Sequence, residues 1–193
     1  YVDGGTDLPI NMALGATRDP GLVYEAAALT ATEARALGVH INFAPVMDVN
    51  NNPQNPVINT RSYGEDPKLV AELAAAAIRG YQENGLLATG KHFPGHGNTG
   101  VDSHAMLGVV TGNQNEFESV ELFPYTKVFQ TSRPSSIMSA HLWIRSLDAD
   151  TVPATLSSNV ITNLLRKRLS FDGIVFTDAM VMGGITTRYP FDV

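Results

Sequence analysis

Four short apolar runs, each ending in an ionisable side chain, constrain the fold of this chain more than any other feature. Residues 39–46 lead to Asp48, and residues 86–88 run on into Lys91 and His92. Residues 136–140 stop at His141, and residues 173–177 deliver Asp178. They recur at roughly forty residues, with a polar loop and a helical pattern between each pair. Runs that are apolar almost throughout suit strands covered on both faces, and strands alternating with helices argue for a parallel sheet.

The clearest helix starts at Asp66-Pro67, with Asp66 as N-cap and Pro67 as first helical residue. Leu69, Val70, Leu73, Ala74, Ala77, Ile78 and Tyr81 share one face, and Gly85 ends it. A second helix is expected over 21–37, stopped by Gly38. A third covers 116–131, where Pro124 either kinks it or starts its second half. Ser157 or Ser158 caps a fourth, carrying Val160, Ile161, Leu164, Leu165 and Leu169. Residues 1–20 read as turn-rich, and 48–63 as a long functional loop.

No internal repeat accompanies the spacing, which disfavours a solenoid. Gly95, Gly97 and Gly100 have the Gly-x-Gly-x-x-Gly spacing, but no helical pattern opens on them, which disfavours an open dinucleotide-binding sheet. The polar residues all follow their strands, as in a (β/α) barrel with its site at the C-terminal mouth. The expected fold class is therefore α/β, a TIM-like (β/α) barrel. A whole barrel needs about 250 residues, so 193 residues should hold five or six of eight units as one partial catalytic domain.

Composition removes several functions. A net charge of −6 leaves no basic patch for nucleic acid or an anionic membrane. No apolar run approaches the roughly 20 residues of a membrane span. Without cysteine there is no disulfide, thiol nucleophile or thiolate zinc site, although this fixes no compartment. The ends, Tyr1-Val2-Asp3 and Phe191-Asp192-Val193, read as those of a fragment trimmed on both sides.

The densest chemistry lies in Gly90-Lys91-His92-Phe93-Pro94-Gly95-His96-Gly97, continuing to Asp102-Ser103-His104. It reads as a strand tip and the mobile loop after it. Neighbouring strand residues face opposite ways, so Lys91 and His92 can share a site only where the strand ends or bulges. In an extended loop Asp102 and His104 project to one side, so the carboxylate can polarise the imidazole. An imidazole can give and then take a proton. With Asp178 opposite as carboxylate nucleophile, the set would support double displacement at an electrophilic carbon.

Plainer roles compete. Asp178 could cap a helix, His141 could simply pack, Asp48 could organise a turn, and Arg61 could pair with Glu65 or Asp66. His92, His96, His104 and Asp102 could hold zinc, although His92 and His96 lack a helical register. A Ser-His-Asp hydrolase is weaker, because no Gly-x-Ser-x-Gly elbow exists.

The combined motifs resemble family 3 glycoside hydrolases, in the β-N-acetylglucosaminidase branch. Besides 91–97 and 102–104, the resemblance rests on Asn42-Phe43-Ala44-Pro45-Val46-Met47-Asp48, Arg61-Ser62-Tyr63-Gly64-Glu65-Asp66-Pro67 and Phe176-Thr177-Asp178-Ala179-Met180. It covers residues 3–185. It implies Asp178 as nucleophile, His104 as acid/base and Asp102 as its partner. Arg61, Lys91 and His92 would hold sugar hydroxyls, with Met180 and Asp3 as further substrate contacts. Asp3-Gly4-Gly5 resembles the family's substrate-binding acid but lacks the arginine usually found soon after. The resemblance implies no metal or organic cofactor. The implied partner is a small β-N-acetylglucosaminide from peptidoglycan or chitin, with further domains outside the chain.

A β-glucosidase, a phosphorylase using phosphate in place of water, an inactive sugar-binding fragment and a metal-dependent hydrolase are the competing readings.

Overall fold

The computed structural model describes residues 4–189; Asp3 lies outside them. Four strands form one parallel sheet in the order β1 (Ile41–Asn42), β2 (Leu87–Phe93), β4 (Ser136–Ser139), β6 (Ile174–Thr177). A second, two-stranded parallel sheet pairs β3 (Gly108–Val110) with β5 (Leu142–Ile144).

The four-stranded sheet is strongly curled. The rings of Phe43, one residue past β1, and Phe176 on β6 meet edge to face at 5.2 Å. In a flat sheet, strands three places apart would stand about 14 Å away from each other, at about 4.8 Å per step. The sheet is thus an arc of a (β/α) barrel, as the alternation of runs and helices leads one to expect. Among the described residues the arc holds four strands, against the five or six units expected from length. The long connections 43–66 and 94–113 take up much of the remainder.

Helices pack on the outside of this arc. In α3 (Pro67–Glu83), the Asp66 carboxylate accepts from the Lys68 N–H at 2.9 Å, and Val70, Leu73, Ala74 and Ile78 are buried. Gly80 lets α2 (Pro20–Ala36) approach closely: a Cβ there would lie 2.5 Å from the Tyr24 carbonyl oxygen. Asp19 caps α2, receiving the N–H groups of Gly21 and Leu22. The expected helix over 116–131 is two, α4 (Gln114–Ser119) and α5 (Phe123–Thr131), with Pro124 in the first turn of the second. Ser157 receives the Val160 N–H ahead of the π-helical segment Asn159–Arg168.

Three local expectations change. The strand expected over 39–46 shrinks to Ile41–Asn42. Beyond it the chain follows β2 irregularly, through Thr89 N–H to Ala44 O, Lys91 N–H to Pro45 O and Met47 N–H to Lys91 O. Pro45 has no N–H to give a regular ladder. Residues 1–20 contain a helix, α1 (Asn11–Thr17). The β3–β5 pair was not anticipated. Among the described residues no helix is long and apolar enough to cross a membrane.

Candidate active site

The tips of β2 and β6 and the loops after β1 and β2 enclose a cavity of about 340 Å³, lined by Phe43, Arg61, Lys91, His92, His104 and Asp178 among others. A roomier groove of about 550 Å³ lies on the outer helices, beside Lys68, Arg79 and Lys127. Its lining sets one acid, Glu72, beside those cations but has no histidine, so the strand tips, where acid, imidazole and cation meet, are the candidate site.

Lys91 and His92 reach the cavity together because β2 slips register between them: Lys91 stands opposite Met138, whereas Phe93 stands opposite Ser139. His92 is the extra residue of a bulge, which re-aims side chains in this way. Behind it, fully buried Asp48 accepts from the ring Nδ1 of His92 at 2.7 Å and the backbone N–H of His96 at 2.7 Å. Arg61 Nη2 lies 3.3 Å from His92 Nε2. A guanidinium only donates, so Nε2 accepts and Nδ1 carries the hydrogen toward Asp48. Asp48 is therefore not a simple turn organiser. Burial pushes its carboxyl up, but His92 and His96 overrule that and hold it below the usual aspartate value. Burial, then the charge of Arg61, holds Lys91 below the usual lysine value, with Asp178 and Asp48 opposing.

Arg61 also donates to the Val57 carbonyl at 3.2 Å. Among the described residues it pairs with neither Glu65 nor Asp66, which corrects that alternative.

Asp102 and His104 form a second acid–imidazole pair. His104 Nδ1 lies 2.7 Å from Asp102 Oδ1, which also accepts the His104 backbone N–H at 2.8 Å. Those bonds, the backbone one first, hold the Asp102 carboxyl below its ordinary value. The side chains are 46% and 61% exposed, His104 is among the residues lining the cavity, and its Nε2 has no hydrogen-bond partner among the described residues.

Asp178 follows β6, tied by its N–H to Ser139 O at 3.0 Å. Its Oδ1 takes the Ala179 N–H at 2.8 Å, and α6 (Gly183–Thr186) starts later, so Asp178 caps no helix. Met180 is half-buried beside it and is not among the residues lining the cavity.

His141 is buried, and its Nε2–H donates to the Ala179 carbonyl at 3.1 Å.

Among the described residues no three His, Asp or Glu side chains are arranged to hold a metal ion. Both ring nitrogens of His92 are engaged, as are both of His96, by Thr99 and Ser103. Sequence reasoning missed the part played by Asn55, whose amide donates to the carbonyls of His96 and Gly97 and braces the loop after β2. Only its place in an Asn-rich loop hinted at it.

A curled parallel sheet with a basic and acidic cavity at its strand ends defines part of a (β/α) barrel with its candidate site at the C-terminal mouth. The chain belongs to glycosyl hydrolase family 3, matching that family's N terminal domain over residues 1–192. It is 40% identical to "Beta-hexosaminidase A" of Pseudoalteromonas piscicida over 189 residues, 91% of this chain and 32% of that protein. It superposes on a family 3 β-N-acetylglucosaminidase from Paenibacillus sp. str. FPU-7 with a TM-score of 0.96 and 47% identity, covering 98% of this chain and 36% of that one. The β-glucoside phosphorylase BglX gives 0.93 and 31%, over 97% of this chain and 35% of that one. The chain thus spans about a third of the length of each.

Proposed function

We propose that this chain carries the catalytic residues of a retaining, exo-acting glycoside hydrolase that removes terminal β-linked N-acetylglucosamine. The observation that carries the reading is that Asp178 and His104, far apart in sequence, line one cavity together with Lys91, His92 and Arg61. A carboxylate oxygen of Asp178 attacks the anomeric carbon. The glycosidic C–O bond breaks, its electron pair goes to the leaving oxygen, and His104 Nε2 gives that oxygen a proton. Water then attacks the same carbon, its proton passes to Nε2, and the bond to Asp178 breaks, which restores both groups and retains configuration.

Asp102 holds the Nδ1–H, so Nε2 is the nitrogen that exchanges protons: the ring enters the first step as the imidazolium, gives its Nε2 proton, and takes one back at Nε2 from water in the second. In this reading Lys91 and Arg61 supply donors for sugar hydroxyls, and His92, with both ring nitrogens engaged, holds Arg61 in place; Asp3 and Met180 are carried as substrate contacts by the family resemblance alone. The choice of N-acetylglucosamine rests on the names of the relatives and on the Asp-Ser-His loop.

Hydrolysis of an aryl β-N-acetylglucosaminide by the intact protein tests this. Asp178→Ala should lower turnover roughly 10⁴-fold or more, the scale of removing a nucleophile. A 2-fluoro sugar should label Asp178, as read by mass spectrometry. Wild-type turnover in the variant, or a label elsewhere, sinks the assignment. A phosphorylase is the second reading, favoured by the likeness to BglX and by a histidine acid/base that does not repel phosphate. Release of a sugar 1-phosphate with turnover rising in phosphate would select it.

A further inference from the structure

We propose that the Asp102–His104 tip is held in working position by a two-sided clasp, with Ser103 on one side and Gly183–Gly184 on the other as positioning residues. The proposal rests on the reading of His104 as the acid/base.

The inner side of the clasp is a buried polar chain. Ser103 is 2% exposed, although the residues flanking it are open to solvent. Its Oγ lies 2.8 Å from His96 Nε2, and His96 Nδ1 lies 2.8 Å from Thr99 Oγ1. Thr99 Oγ1 in turn reaches the His96 carbonyl at 3.1 Å. One assignment satisfies every group: Thr99 O–H to the carbonyl, His96 Nδ1–H to Thr99, and Ser103 O–H to Nε2. Burial, the largest influence, holds the His96 imidazole below its ordinary value, in keeping with that neutral form. The His96 N–H binds Asp48, so the tip rests on the same carboxylate that orients His92.

The outer side comes from the loop that carries Asp178. The first N–H groups of a helix have no partner within it. At the start of α6, Gly183 gives its N–H to the His104 carbonyl at 2.8 Å, and Gly184 gives its own to the Ser103 carbonyl at 3.1 Å. The fit leaves no room for a side chain at the first position: a Cβ on Gly183 would lie 2.2 Å from the Ala105 carbonyl oxygen. His141 ties this same loop to the end of β4 through the Ala179 carbonyl. A tip that sequence alone would leave free is thereby set in register with the nucleophile's own loop.

If the clasp positions the acid, loosening it should hurt most where protonation of the leaving group matters most. The test compares kcat/KM of the intact protein on phenyl and dinitrophenyl β-N-acetylglucosaminides, whose leaving groups need much and little protonation. Ser103→Ala and Gly183→Ala should each lose at least tenfold more on the phenyl substrate than on the dinitrophenyl one. Ser103→Thr, which keeps the hydroxyl, should hold the ratio near wild type. Equal loss on both substrates, or no loss, overturns the clasp. The Ser103 pair decides the matter if Gly183→Ala does not fold. His104→Ala is the reference: an unchanged ratio there overturns the acid assignment itself, whereas a changed ratio with unaffected Ser103→Ala overturns the clasp alone.

Discussion

Two Asp–His pairs in this molecule share one geometry, a 2.7 Å contact to Nδ1, and have opposite surroundings. Asp48 and His92 have side chains 0% and 6% exposed, while Asp102 and His104 stand in solvent. In the first pair Arg61 engages the remaining imidazole nitrogen, so the ring is fixed and has no free site for proton exchange. In the second that nitrogen is open. Contact distance therefore does not assign a role; access to the far nitrogen does. Energy follows the same division. An exposed pair contributes about 0–1 kcal/mol, whereas removing one partner from a buried pair costs about 3–5 kcal/mol.

The contrast can be broken by paired substitutions. Asp48→Asn should lower unfolding free energy by about 3 kcal/mol in urea denaturation, because the amide cannot accept all the N–H groups that converge there. A midpoint near wild type would erase the distinction. Asp102→Asn should change stability by less than about 1 kcal/mol. It should still lower kcat/KM on a poor leaving group about tenfold, part of the 10²–10⁴ that general acid–base catalysis supplies.

The smallest effect is in pH dependence. The Asp48 carboxyl is held below its ordinary 3.8, so the unfolded chain takes that proton first. Its contribution is complete above 3.8 and is lost as pH falls through the lower folded value. His96 and His141, lowered from 6.5 chiefly by burial, have the same sign at higher pH: stability begins to drop as pH falls below 6.5. Denaturation midpoints against pH should show both steps; Asp48→Asn should flatten the more acidic one and, because the Asp48 charge opposes the lowering of His96, deepen the other.

What the sequence made legible were features with local causes. Asp66-Pro67 announces α3 because cap and first turn are neighbours in the chain. β2, β4 and β6 stand out as apolar runs. Strand alternation requires β2 to end or bulge if Lys91 and His92 are to share a cavity, and the register slip supplies the bulge. Features made by distant partners stayed hidden. Asp48 looks like a turn residue until His92 and His96 are folded over it. His96 looks like a candidate metal ligand until Thr99 and Ser103 take its nitrogens. α1 was missed because seven residues carry little periodicity, and its Gly15 reads as a breaker when it is a contact: a Cβ there would strike the Tyr63 carbonyl oxygen at 1.8 Å. β3 and β5 are three residues each, too short to show a period.

The inward-facing Ser103 has a practical consequence for redesign. Since it grips the scaffold while its two neighbours stay exposed, the tip resembles a removable fitting on a fixed bracket. On the proposed role of His104, exchanging it for a different acid would leave the mounting intact, so new leaving-group or acceptor preferences could be sought there without rebuilding the barrel beneath.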